Sequence, residues 1–128
     1  MASDKQVNRL ADLGIKNSQH LFRRARTAEE REELARLAGI PGDDLLKLVK
    51  LSDLVRVAGI GAVSAPIFYD AGADTTEKLA ASSLEALFES VNAVNPIKGY
   101  TIQMRDIDYC VQIAKELPFV IEYQEMGI

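Results

Sequence analysis

The sequence predicts an all-α fold, and three observations carry that prediction. Apolar residues recur at three- and four-residue spacing through most of the chain. Capping residues open these stretches and glycines or prolines close them. No two alternating apolar–polar runs lie where they could pair as strands, so the helical period has no competitor.

Taken in order, Ser3 and Gln6 form a capping box for a short helix carrying Val7, Leu10 and Leu13, which Gly14 ends. Asn17 or Ser18 caps a second helix with Leu21, Phe22 and Ala25 on its apolar face, and with Arg23, Arg24 and Arg26 in its last turn, where cations complement the helix dipole. Thr27 with Glu30 opens a third helix bearing Leu34, Leu37 and Ala38, stopped by Gly39. After the turn Ile40-Pro41-Gly42, Leu45, Leu46, Leu48 and Val49 mark a fourth, and Ser52 is expected to cap a fifth.

That fifth helix leads into the stretch on which the chain is centred, Leu54 to Ala65, LVRVAGIGAVSA. It reads as a helix, a glycine turn and a second helix: a helix-hairpin-helix. Gly59 is expected to leave the first helix with positive φ, Gly61 to allow close backbone approach, Ile60 to plug the core and Ala65 to let the helices meet. Pro66 falls in the first turns of the second helix, where its missing amide hydrogen costs little, and Gly72 closes that helix. Asp74 with Glu77 is expected to cap a short helix with Leu79 and Ala80. Ser82 with Glu85 is expected to cap a longer one with Leu84, Leu87, Phe88 and Val91. Asn95-Pro96-Ile97-Lys98-Gly99 breaks the chain. A last helix from about Gln103 to Leu117 presents Ile107, Cys110, Val111 and Ala114, and Phe119 to Tyr123 reads as an extended tail lying on the core.

Two echoes point to tandem hairpin units. Asp12-Leu13-Gly14-Ile15 followed by Leu21 matches Asp70-Ala71-Gly72-Ala73 followed by Leu79, and Leu37-Ala38-Gly39-Ile40 matches Val57-Ala58-Gly59-Ile60. No linker rich in Gly, Ser or Pro divides the chain. Residues 1–128 are therefore expected to form one domain, its first half about 1–50 and its second about 51–128.

The bulk properties describe an ordinary soluble protein: 128 residues, 48% hydrophobic and 27% charged. No apolar run approaches a membrane span and the polar start resembles no signal peptide, so no membrane partner is expected. One cysteine excludes an internal disulfide framework and points to the cytoplasm. The net charge of −4 opposes strong nonspecific DNA binding, but its distribution is uneven: +2 up to Pro41 and −6 from Gly42 onward. An anionic partner would meet the first third.

No catalytic constellation is present, and no enzyme is expected. The chain has one histidine and one cysteine, and Cys110 sits in an apolar stripe where a thiol is inert. Asp106 and Asp108 lie on different helix faces, and Asp43 and Asp44 suit a helix N-terminus. Metal-ligand spacing, a P-loop and a dinucleotide fingerprint are all lacking, so neither metal nor cofactor is expected.

Two binding readings remain. In the first, amides around Gly59, Ile60 and Gly61, with Ser64, grip a DNA or RNA phosphate, and Lys16, Arg23, Arg24 and Arg26 supply charge for modest, sequence-nonspecific nucleic-acid binding. Against it, Ala62, Val63 and Ser64 stand where DNA-binding hairpins place Lys or Arg. The arginines also have Glu29, Glu30, Glu32 and Glu33 to offset. In the second reading the hairpins are purely architectural and the protein is a protein-interaction or self-association module. Apolar residues at Ile67 to Tyr69, Ile97 to Met104 and Phe119 to Tyr123 would then serve a partner, unless they close over the core.

Leu51-Ser52-Asp53-Leu54 with Gly59-Ile60-Gly61, Ala71-Gly72-Ala73-Asp74-Thr75 with Leu79-Ala80, Val94-Asn95, and Ala114-Lys115-Glu116-Leu117-Pro118 with Tyr123 resemble a bacterial domain-of-unknown-function family. Its members are tandem helix-hairpin-helix proteins, akin in hairpin geometry to the DNA polymerase β amino-terminal domain. The resemblance extends to Leu13-Gly14-Ile15 and Gly39-Ile40, nearly the whole chain. Cys110 departs from it, standing where a tryptophan is expected, which implies a smaller core there. The resemblance implies a fold and a generic binding role, not a reaction.

Overall fold

The computed structural model describes residues 3–61, 63–97, 99, 101–118 and 121–123. The described residues form eight helices and no strand: α1 Asp4–Asp12, α2 Ser18–Arg24, α3 Ala28–Ala38, α4 Gly42–Leu54, α5 Ser64–Asp70, α6 Thr76–Ala80, α7 Leu84–Val94 and α8 Met104–Glu116. They divide into two units, residues 1–52 with 120–128, and residues 53–119.

In the first unit, local side-chain chemistry fixes the helix starts. Ser3 and Gln6 close a capping box on α1, Asn17 accepts the His20 amide at the start of α2, and Thr27 and Glu30 close a second box on α3. Gly39 ends α3 in the left-handed conformation. Arg9 then donates to the Gly39 carbonyl at 2.9 Å, placing a cation where the helix dipole is negative. The core gathers Leu10, Leu21, Leu34, Leu45 and Val49 with Ile121. Each fully buried leucine there contributes about 1.5–3 kcal/mol relative to exposure.

Ser52 does not start a fifth helix. It lies inside α4, its hydroxyl bonded back to the Leu48 carbonyl at 2.9 Å. The apolar face continues through Leu45, Val49 and Leu54, so nothing breaks the helix at Lys50 or Leu51. Two other expected caps also move by one residue. Thr75, in extended conformation, caps α6 by accepting the Lys78 amide, while Asp74 pairs with the Lys78 ammonium at 3.0 Å. Ser83, with no side-chain cap bond, precedes α7, and the Ser82 hydroxyl bonds back to the Lys78 carbonyl.

In the second unit, α8 packs against α6 and α7, and α5 against α7. Ile60, Ala65, Ile67, Phe68 and Cys110 are buried in this unit. The buried Asp53 carboxylate, 2% exposed, accepts the Thr76 amide at 3.1 Å and hydroxyl at 2.5 Å and pairs with Arg56 at 2.6 Å. Arg56 also donates to the Pro118 carbonyl at 2.7 Å, so one ionic network ties the end of α4, the start of α6 and the chain just after α8.

Gly59 has φ +97°, as the turn requires, but it does not directly end α4, which stops at Leu54. Backbone bonds from Arg56 to Asp53, Val57 to Leu54 and Ile60 to Val57 carry the chain through consecutive turns to the glycine. A Cβ at Gly59 would lie 3.5 Å from the Cys110 sulfur and 3.6 Å from the Tyr109 ring, ordinary contact distances. Dihedral strain, not steric overlap, is therefore what Gly59→Ala introduces. Its unfolding free energy by chemical denaturation is expected to fall by roughly 1–2 kcal/mol; an unchanged midpoint contradicts the left-handed turn.

Candidate functional site

The glycine connection opens on a groove in the second unit of about 250 Å³. It is lined by Gly59, Val63 and Ser64, by Ile67 and Phe68 of α5, by Ile97 and Ile102, and by Asp106, Ile107, Tyr109 and Cys110 of α8. Most of this lining is apolar. Val63 is 70% exposed, Tyr109 52% and Ile97 44%, a concentration of apolar surface that isolated surface residues do not produce. Asp106 is the charged residue of the lining.

Side-chain hydrogen bonds fix the backbone at two residues of the lining, Ile102 and Ile97. Asn92 on α7 accepts the Ile102 amide at 2.8 Å and donates to the Ile102 carbonyl at 3.1 Å. Its side-chain amide thus holds both backbone groups of Ile102, a residue of the lining. The Asn95 side chain accepts the Ile97 amide at 3.0 Å and turns the chain beside Pro96. Burial pushes the Cys110 thiol above its ordinary pKa, and the nearby Asp106 carboxylate pushes the same way. The sulfur is thereby kept as a neutral, poorly nucleophilic group.

Of the residues read from the sequence as phosphate-gripping, Gly59 and Ser64 line this groove. Gly61 is exposed, and its carbonyl accepts the Ala65 amide at 2.9 Å. Ile60 is buried as the expected plug. Ala62 lies outside the described residues, as do Lys98, Tyr100, Phe119 and Val120. Val63, the residue before α5, makes no side-chain cap bond, and α5 is seven residues long.

The basic residues belong to the first unit. Lys16, Arg23, Arg24 and Arg26 are all exposed at or beside the ends of α2. Arg24 donates to the Leu13 carbonyl at 3.2 Å, Arg26 stands 5.6 Å over the Phe22 ring, and the Lys16 amide donates to His20 Nδ1 at 3.2 Å. Arg31 behaves differently. It is buried, and its guanidinium donates to the carbonyls of Ala25, Arg26 and Glu122.

Sequence reasoning passed over Asn92, Arg31 and Asp53. The Asp53–Arg56 spacing of three, beside the buried Leu54, was a legible signal for an ion pair. Arg31 and Asn92 act on carbonyls and amides of distant or irregular segments, for which sequence spacing holds no signal. Among the described residues no group of three or more His, Cys, Asp or Glu is arranged to hold a metal ion. Among the same residues no helix is long and apolar enough to cross a membrane.

No curated protein and no solved structure matches the chain. Residues 1–117, from α1 to the end of α8, match the family described as Domain of unknown function (DUF4332), and the chain belongs to that family.

Proposed function

We propose that the protein is a non-enzymatic binding module whose second-unit groove receives an apolar segment of a partner protein. The observation that carries this reading is the exposed apolar surface of Val63, Ile97 and Tyr109 around one groove. Apolar side chains at this exposure release little free energy in the isolated chain and more when a partner covers them. Residues 53–119 carry nine acidic and five basic residues, so a segment with a cation facing Asp106 complements the site better than an anion does. The helix-hairpin-helix character of the connection between α4 and α5 belongs to this reading as an architectural element. Cytoplasmic residence belongs to it too, in keeping with the single free thiol.

The test is cross-linking in cells followed by comparison of variants. Tyr109→Glu with Ile97→Asp is expected to lose the proteins captured by the wild type, while Glu85→Lys, outside the lining, keeps them. Identical capture by all three chains contradicts the groove as the binding site.

Nucleic-acid binding is the second reading, favoured by one observation: four exposed cations at or beside the ends of α2. Its support rests on this cluster and not on the glycine groove, where Asp106 would repel a phosphate. Replacing Arg23, Arg24 and Arg26 with alanine is expected to weaken binding to all duplexes alike. The same change should flatten the salt dependence of log K by about 0.9 for each phosphate that these arginines neutralise. No binding by the wild type to single- or double-stranded DNA or RNA at low salt ends this reading.

A further inference from the structure

The first unit contains a second binding feature, independent of the groove just described: three residues from beyond α8 sit in it as a bound peptide would. Ile121, 8% exposed, enters the apolar core formed by α1 to α4. The Glu122 amide donates to the Arg26 carbonyl at 2.7 Å, and the Glu122 carbonyl accepts from the Arg31 guanidinium. The Tyr123 ring lies 5.7 Å from the Arg31 guanidinium carbon and 5.8 Å from the Lys50 ammonium, a cation–π contact with each.

The chemistry is that of peptide capture through the main chain. Main-chain bonds hold the middle residue on both sides, an apolar anchor precedes it and an aromatic one follows, while Glu122 itself is exposed to solvent. The receptor is incomplete without its occupant. Removing Ile121 opens the core, and removing the Glu122 carbonyl takes an acceptor from a buried cation. Four residues, 117–120, join α8 to this segment, and they include Pro118. The contacts described are made by residues 121–123 themselves, which residues 117–120 separate from α8.

We infer that this slot is a receptor for an apolar–x–aromatic segment, and that a second copy of this chain supplies one by exchanging its Ile121–Tyr123. In the wild type the tethered segment is present at a local concentration in the millimolar range, so its own slot is filled first. Exchange becomes visible when that segment is weakened.

The experiment uses the full chain in two versions, one with Ile121→Ala and Tyr123→Ala, the other with Arg31→Ala and an intact segment. A synthetic peptide of residues 118–128 is titrated into each and into the wild type. The peptide is expected to raise the melting temperature of the segment-weakened chain and to bind it at least tenfold more tightly than it binds the wild type. Mixing the two versions is expected to give a species of twice the monomer mass, absent from either alone. Should the segment-weakened chain be unfolded, excess peptide is expected to refold it. Failure of the peptide to bind or refold that chain overturns the receptor, and binding without a mixed dimer overturns exchange between copies. Neither outcome bears on the second-unit groove.

Discussion

A carboxylate taken almost wholly out of water needs hydrogen-bond donors in place of the water it loses, or the burial is strongly unfavourable. Asp53 accepts from two places in the chain: from the amide and hydroxyl of Thr76, and from the Arg56 guanidinium. Because Arg56 also donates to the Pro118 carbonyl, the same network reaches the chain just after α8. The turns from Asp53 to Ile60, which deliver Gly59 to the face of α8, begin at this residue. The glycine part of the groove lining is thus set by a polar constraint, with the apolar side chains filling around it.

The two units differ in what their surfaces offer. The second combines an acidic balance with exposed Val63, Ile97 and Tyr109, and the first carries the exposed cations of α2. A charged guanidinium plays opposite parts within the first unit. Arg23 is exposed, whereas Arg31 is buried and donates to the carbonyls of Ala25, Arg26 and Glu122. Counting basic residues along the sequence treats the two alike; their neighbours separate them.

Much of the helical architecture was legible because it is local. The boxes Ser3–Gln6 and Thr27–Glu30 join residues three apart, and Gly39 and Gly72 mark positions whose φ excludes most side chains. Caps chosen by residue type alone went wrong where competing partners existed. Asp74 is drawn to the Lys78 ammonium, leaving Thr75 to cap, and Ser52 bonds back to Leu48 inside a helix whose apolar face runs on. Of the site, Gly59 and Ser64 could be read from the glycine pattern. The hold of Asn92 on Ile102 could not, since that contact joins residues ten apart across irregular backbone.

The measurement that bears most directly on this account is the unfolding free energy of Asp53→Ala, read by denaturant titration against the wild type. Removing the carboxylate leaves a mostly buried Arg56 guanidinium and a buried Thr76 amide without it. The expected loss is about 3–5 kcal/mol, the range for one partner removed from a buried ion pair. A loss below about 0.5 kcal/mol, the scale of an exposed pair, would contradict the claim that this carboxylate organises the second unit.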